Sequence, residues 1–167
     1  MDEQTNALAR ALKDHIDREA ELFCGLQRDV ERLQVSFQEK DWNAGLTIAQ
    51  GMERSAQAIE EADGARDRSF ALLRGAMDLP RETAFSAMLP SLPEGQREAL
   101  EESWRHLRMS VVRLKTATGR MRHSAEALAD TLNRILERIF PYRKGKIYTR
   151  TGAPTRVSGA HMVDRKL

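Results

Sequence analysis

The chain has 167 residues, about one domain, with 41% hydrophobic and 31% charged but only 5% aromatic side chains, a balance that argues against a compact mixed fold and for long amphipathic helices. Its formal net charge is +2, and the single cysteine, Cys24, excludes an intrachain disulfide framework and fits a reducing compartment. The polar, acidic opening MDEQTNALAR is unlike a secretory signal, and no apolar run approaches the ~18 residues that span a bilayer, so a soluble cytoplasmic protein without membrane insertion is expected.

The first helix is predicted from about Thr5 to Phe37. Leu8, Leu12, Ile16, Phe23, Leu26, Val30, Leu33 and Phe37 return mostly every three or four positions and share one face. Asp41 then reads as a helix cap, since its carboxylate can accept a free backbone N–H, and Trp42 is the first apolar residue after it. The second helix, about Trp42 to Met77, is the weakest. Gly45, Gly51, Gly64 and Gly75 each cost about 1 kcal/mol against Ala. Its middle offers mostly Ala49, Ala56, Ala58 and Ala62 to a core, and a bend or fraying is expected near EADGARD.

A connector follows, MDLPRETAFSAMLPSLPEGQ, with three of the five prolines. Pro80 suits a helix start and Pro90 ends a short helical turn, leaving Phe85, Met88 and Leu89 to seal one end of a bundle. In the third long helix Leu100, Trp104, Leu107, Val111, Leu114, Thr118, Met121, Ala125, Leu128, Leu132, Ile135 and Ile139 are spaced alternately by four and three. Such a seam is about 60 Å long, so it must lie along partners of similar length, and Pro141 stops it. The expected fold is all-α: an elongated antiparallel three-helix coiled-coil bundle over residues 1–140 with a short connector helix. A flexible, largely disordered basic tail over 141–167 completes it.

Chemistry-bearing residues form no constellation. His15, His106, His123 and His161 are scattered; Glu102 and His106 share a helix face, but no second such motif accompanies them, and a solvated pair is the plainer reading. Cys24 has no CxxC partner and reads as an idle thiol. Trp42, Trp104, Met109 and Met121 read as packing residues, although methionine also suits adaptable binding grooves. No enzyme activity, metal or cofactor is therefore expected. The tail from Tyr142 to Leu167 carries seven Lys or Arg against one acid, whereas the rest of the chain holds 20 basic and 24 acidic residues. The tail's charges form no block or stripe and no recognition motif accompanies them, so nucleic acid is not the expected partner. Gly145, Gly152, Pro154 and Gly159 prevent a membrane-surface helix. A tail that orders against a protein fits better.

In layout the whole chain resembles the FlgN-type flagellar export chaperones: a long helical hairpin, a proline-containing connector, a long third helix and a tail. The resemblance rests on LPEGQREALEESWRHLRMSVVRLKTATGRMRHSAEALADTLNRILERIF, then IYTRTGAPTR, then the closing VDRKL; Tyr148, Thr149 and Gly152 match the family's tail pattern. The stretch TATGRMRHSAEAL departs from it, holding Gly119 and Ser124 where members commonly carry an asparagine. The resemblance implies a cytoplasmic chaperone for flagellar hook-associated proteins, those of the hook–filament junction. It would hold their C-terminal helical segments and then dock at the flagellar type III export apparatus and its ATPase. It also implies a binding surface in the C-terminal third. Met121, Ala125, Leu128, Leu132, Ile135 and Ile139 would form a groove for an amphipathic helix, with Tyr148 and Gly152 in the tail. The alternatives are a structural coiled-coil scaffold or stalk subunit and a helical protein that binds nucleic acid through its tail.

Overall fold

The computed structural model describes residues 3–139, 147–148 and 154–155. They form an all-α helical bundle: α1 (Glu3–Glu39), α2 (Trp42–Ala76), a short α3 (Phe85–Met88) with a 3-10 turn at Leu89–Ser91, and α4 (Glu94–Ile139). Two compact units are present, Met1–His123 and Ser124–Leu167.

In the first unit, α1 and α2 are antiparallel. Arg66 reaches Glu19 near mid-helix, and Gly45 at the start of α2 lies against Ser36 at the end of α1. α4 runs parallel to α1, with Gln96 donating to Asn6 at one end and Arg120 paired with Glu31 further along. The turn between α1 and α2 is built as the aspartate cap requires: Asp41 Oδ1 accepts the Ala44 amide at 3.0 Å. Lys40 enters the left-handed region (φ 60) so that the Asp41 amide can reach the Ser36 carbonyl at 2.9 Å.

Each long helix turns one column of buried and half-buried residues inward, at alternating steps of three and four. On α1 it holds Thr5, Ala9, Leu12, Ile16, Glu19, Phe23, Leu26, Val30 and Leu33. On α2 it holds Gly45, Ile48, Met52, Ser55, Ile59, Ala62, Arg66, Ser69 and Leu73. Of the alanines expected to face the core, Ala49, Ala58 and Ala62 are half-buried and Ala56 is exposed; Ile48, Met52 and Ile59 are half-buried beside them, and only Gly45, Ser69 and Leu73 of α2 are fully enclosed. Nor does α2 fray at EADGARD. The helix is continuous there, because Arg66 in that stretch is tied to Glu19 of α1 and to Asp63 and Asp67 of its own helix.

On α4 the inward column is Leu100, Ser103, Leu107, Ser110, Leu114, Ala117 and Met121, with Leu114 and Met121 half-buried and the others buried. Of the other expected seam members, Trp104 and Val111 are half-buried like Leu114 and Met121, and Thr118 is exposed. Small residues occupy the centre of the contact, and larger ones lie along its flank. The buried hydroxyls are satisfied, since Ser110 Oγ donates to the Leu107 carbonyl at 2.7 Å and Ser103 hydrogen-bonds the Asp17 carboxylate.

Leu12, Ile16, Leu73, Met88 and Leu100 are fully buried, each contributing about 1.5–3 kcal/mol. Met88 and Leu89 lie in this core with Phe85 packed against it, the three residues the connector reading names, and Leu92, which it does not name, joins them. Pro80, however, starts no helix. Its carbonyl accepts the Thr83 amide in a turn, and helix begins only at Phe85. Pro90 falls inside the 3-10 turn after α3. Phe85 stacks between Phe70 and Trp104 at centroid distances of 6.0 and 4.7 Å. Arg66 lies over the Trp104 ring at 5.7 Å and Arg74 over Phe70 at 5.2 Å.

In the second unit, α4 continues from Ser124. Ile147–Tyr148 (β1) and Pro154–Thr155 (β2) form a two-stranded antiparallel ladder, with Ile147 opposite Thr155 and Tyr148 opposite Pro154. No strand pairing was expected in this segment.

Candidate functional site

The expected binding residues separate by surroundings. Met121, at the end of the first unit, is half-buried in the inward column of α4. In the second unit Ala125 is exposed, and Leu132 and Ile135 keep 51% and 46% of their surface open. Every described side chain from Ser124 to Ile135 is exposed. Leu132 and Ile135 are three apart and lie on one helix face, so they form an apolar strip in solvent. The side chains of Leu128 and Ile139 lie outside the described residues, as does Gly152; Tyr148 is placed by backbone alone, in β1.

What such a strip can do is set by physics. A helix remains well formed with a solvated apolar strip when packing elsewhere anchors it. The strip then gains by accepting a second amphipathic helix, each covered Leu or Ile contributing a fraction of the ~1.5–3 kcal/mol of complete burial. Charge brackets it: Glu126 and Asp130 precede it, and Arg134 and Arg138 accompany and follow it.

Other candidates are less organised. Trp42 is 60% exposed, which corrects its reading as a core residue; it rests at 5.9 Å from Phe37 beside the turn between α1 and α2. Trp104, by contrast, packs against the core. Met109, also read as packing, is 45% exposed. Glu102 and His106 both face solvent. Among the described residues no group of three or more His, Cys, Asp or Glu is arranged to hold a metal. Cys24 is a half-buried free thiol. No described helix is long and apolar enough to cross a membrane.

Two clusters of charge have shifted ionisation. At Glu19, burial raises the pKa, and the Arg66 charge only partly offsets it. Burial also works against the Arg66 cation, but its hydrogen bond to Asp67 and the charges of Glu19 and Asp63 outweigh this and raise its pKa. At Asp17 burial is again opposed, here by hydrogen bonds from Lys13 (2.6 Å) and Ser103, and the balance lowers its pKa. Sequence reasoning that treats charges as solvent-facing misses the Glu19–Arg66 pair. The available signal was that both residues occupy heptad positions otherwise filled by core side chains.

Locating the positive charge in the tail also passes over a second one-signed segment. From Ser103 to Ala125, α4 carries Arg105, Arg108, Arg113, Lys115, Arg120 and Arg122 with no Asp or Glu.

No protein-family model matches the chain, and no curated protein or solved structure does.

Proposed function

We propose that this chain is a cytoplasmic export chaperone of the flagellar type, which holds the C-terminal helical segment of a hook-associated protein and presents it to the type III export apparatus. One observation carries the reading: the exposed pair Leu132 and Ile135 on a stretch of α4 whose described side chains are all open to solvent. An amphipathic cargo helix laid along this stretch would exchange two solvated apolar surfaces for one buried contact. The resemblance of the third long helix and tail to FlgN-type chaperones supplies the class of cargo. A cargo segment that orders as it binds gives up conformational entropy, so the affinity expected is about micromolar, close to −8 kcal/mol. A carrier that must release its cargo is served by that value.

Calorimetry tests the reading directly, with a synthetic C-terminal helix of a hook–filament junction protein from the same organism titrated into the full-length chain. Saturable one-to-one binding with a negative heat-capacity change is expected. Leu132→Glu and Ile135→Glu should each weaken it by about tenfold or more, because a carboxylate would have to be desolvated in the contact. Absence of heat at tens of micromolar from a folded protein would overturn the cargo assignment. Sedimentation of the chain alone separates the structural-scaffold alternative, in which the same strip would drive permanent self-association.

A further inference from the structure

The outer face of α4 in the first unit is a second candidate surface, separate from the Leu132–Ile135 strip. At about 100° per residue, Arg105, Met109, Val112 and Thr116 fall on one narrow face. That face is opposite the inward column through Leu107, Ser110 and Leu114. Val112 and Met109 are 53% and 45% exposed. Arg113 stands on one flank of this apolar centre and Arg108 and Lys115 on the other, all exposed.

Two features set this face apart from an ordinary solvated helix surface. Elsewhere on the helices acids and bases are interleaved, and some pair along their own helix, as in Lys13–Asp17, Arg18–Glu21, Arg32–Asp29 and Arg97–Glu94. Here no acid is interleaved, and Arg105, Arg108, Arg113 and Lys115 have no ion-pair partner among the described residues. Moreover, the cations border an apolar strip. A phosphate backbone would gain nothing from Met109 and Val112 at the centre of the contact, and two apolar side chains without an aromatic are a poor membrane anchor.

We infer that this face docks an acidic amphipathic helix of a partner protein. The partner's apolar stripe covers Met109 and Val112, and carboxylates on both sides of that stripe meet Arg108 and Lys115 on one flank and Arg113 on the other. Charge complementarity sets the orientation and speeds the encounter. The methionine, with its flexible thioether chain, lets the contact accept more than one apolar side chain.

The probe is a stapled, fluorescein-labelled peptide of about three heptads with Leu at the two seam positions and Glu at the flanking ones. Anisotropy titration against the full-length chain is expected to saturate in the micromolar range. Met109→Ser with Val112→Ser should weaken binding about tenfold, and Arg108→Glu with Arg113→Glu and Lys115→Glu should weaken it at least as much. A peptide with Lys in place of Glu should recover affinity for the charge-reversed chain. Leu132→Glu with Ile135→Glu should leave the titration unchanged, which separates this surface from the cargo strip. All these positions are exposed on a formed helix, and circular dichroism confirms that each variant is folded. Three results would each overturn the inference. One is no binding at about 100 μM peptide. Another is binding that survives both sets of substitutions. The third is tighter binding of duplex DNA or anionic phospholipid vesicles, lost on charge reversal but indifferent to Met109 and Val112, which would make the face a general polyanion surface.

Discussion

Replacing Arg66 by methionine should expose what the buried ion pair does. In the native protein both carboxylate oxygens of Glu19 accept from Arg66 Nη1, at 2.9 and 2.7 Å, and the Glu19 side chain is only 4% exposed. Without the guanidinium the carboxylate would be buried, unpaired and close to Asp63 and Asp67. Breaking a buried pair in this way costs about 3–5 kcal/mol. Protonation offers an escape whose cost can be worked out. Starting from the ordinary glutamate value of 4.5, neutralising the side chain costs about 1.4 kcal/mol per pH unit, or about 3.4 kcal/mol at pH 7. The loss at pH 7 should therefore be about 3–4 kcal/mol, including a small part from the lost contact over Trp104. At about pH 5 the protonation cost has fallen below ~1 kcal/mol and most of the defect should vanish. Replacing both partners, Glu19→Leu with Arg66→Met, removes the stranded charge and should return stability to within about 1 kcal/mol of the native chain or above it. Urea unfolding followed by far-ultraviolet circular dichroism at the two pH values measures all of this. A loss for Arg66→Met below about 1 kcal/mol at pH 7, or an equal loss at both pH values, would refute the argument.

The glycines of α2 should divide by their surroundings. An added Cβ at Gly51 meets nothing within 4 Å, so Gly51→Ala should stabilise by about 0.5–1 kcal/mol in the same assay. At Gly45 the Cβ would stand 3.0 Å from Ser36 Oγ, which is buried and fixed by its bond to the Leu33 carbonyl; Gly45→Ala should destabilise until Ser36→Ala is added. Lys40→Gly should stabilise by about 0.5–1 kcal/mol, since a lysine holds the left-handed position of the α1–α2 turn, and thermal melts will show it. The pH dependence of stability should carry two opposed contributions. Glu19, with its pKa raised by burial, contributes stability that is complete below pH 4.5 and lost as pH rises through its folded value. Asp17, lowered on balance by Lys13 and Ser103, contributes stability present above the ordinary aspartate value and lost as pH falls through its folded value. Comparing Glu19→Gln and Asp17→Asn unfolding curves across acidic pH will separate them.

Much of the fold was legible because helices write their packing into sequence locally. The apolar residues of α1 recur at three and four, Asp41 announces α2, and the series from Leu100 to Ile139 marks α4. The misreadings share one cause. A seam anchored on its largest apolar residues and extended by strict four-three spacing takes in Trp104, Val111 and Thr118 instead of Ser103, Ser110 and Ala117. Where helices approach one another, small side chains occupy the centre and large ones pack along the flank. The same reading treated Ala56 as core and counted Trp42 and Met109 as packing residues, although all three are exposed.

The candidate surfaces divide along the same line. That α4 carries apolar residues as far as Ile139, and an acid-free basic stretch between Ser103 and Ala125, is a property of the chain itself. Spacing along one helix tells which residues share a face, and no more. Whether a face is covered depends on where the other helices lie, because burial belongs to a pair of surfaces. Tertiary structure therefore decided that Leu107 and Ser110 are enclosed while Val112, two residues on, stands open, and that Leu132 and Ile135 remain in solvent. It also decided that a glutamate and an arginine 47 residues apart meet in the interior. The sequence by itself determined three long amphipathic helices and the charges along them; their association determined which faces are left for a partner.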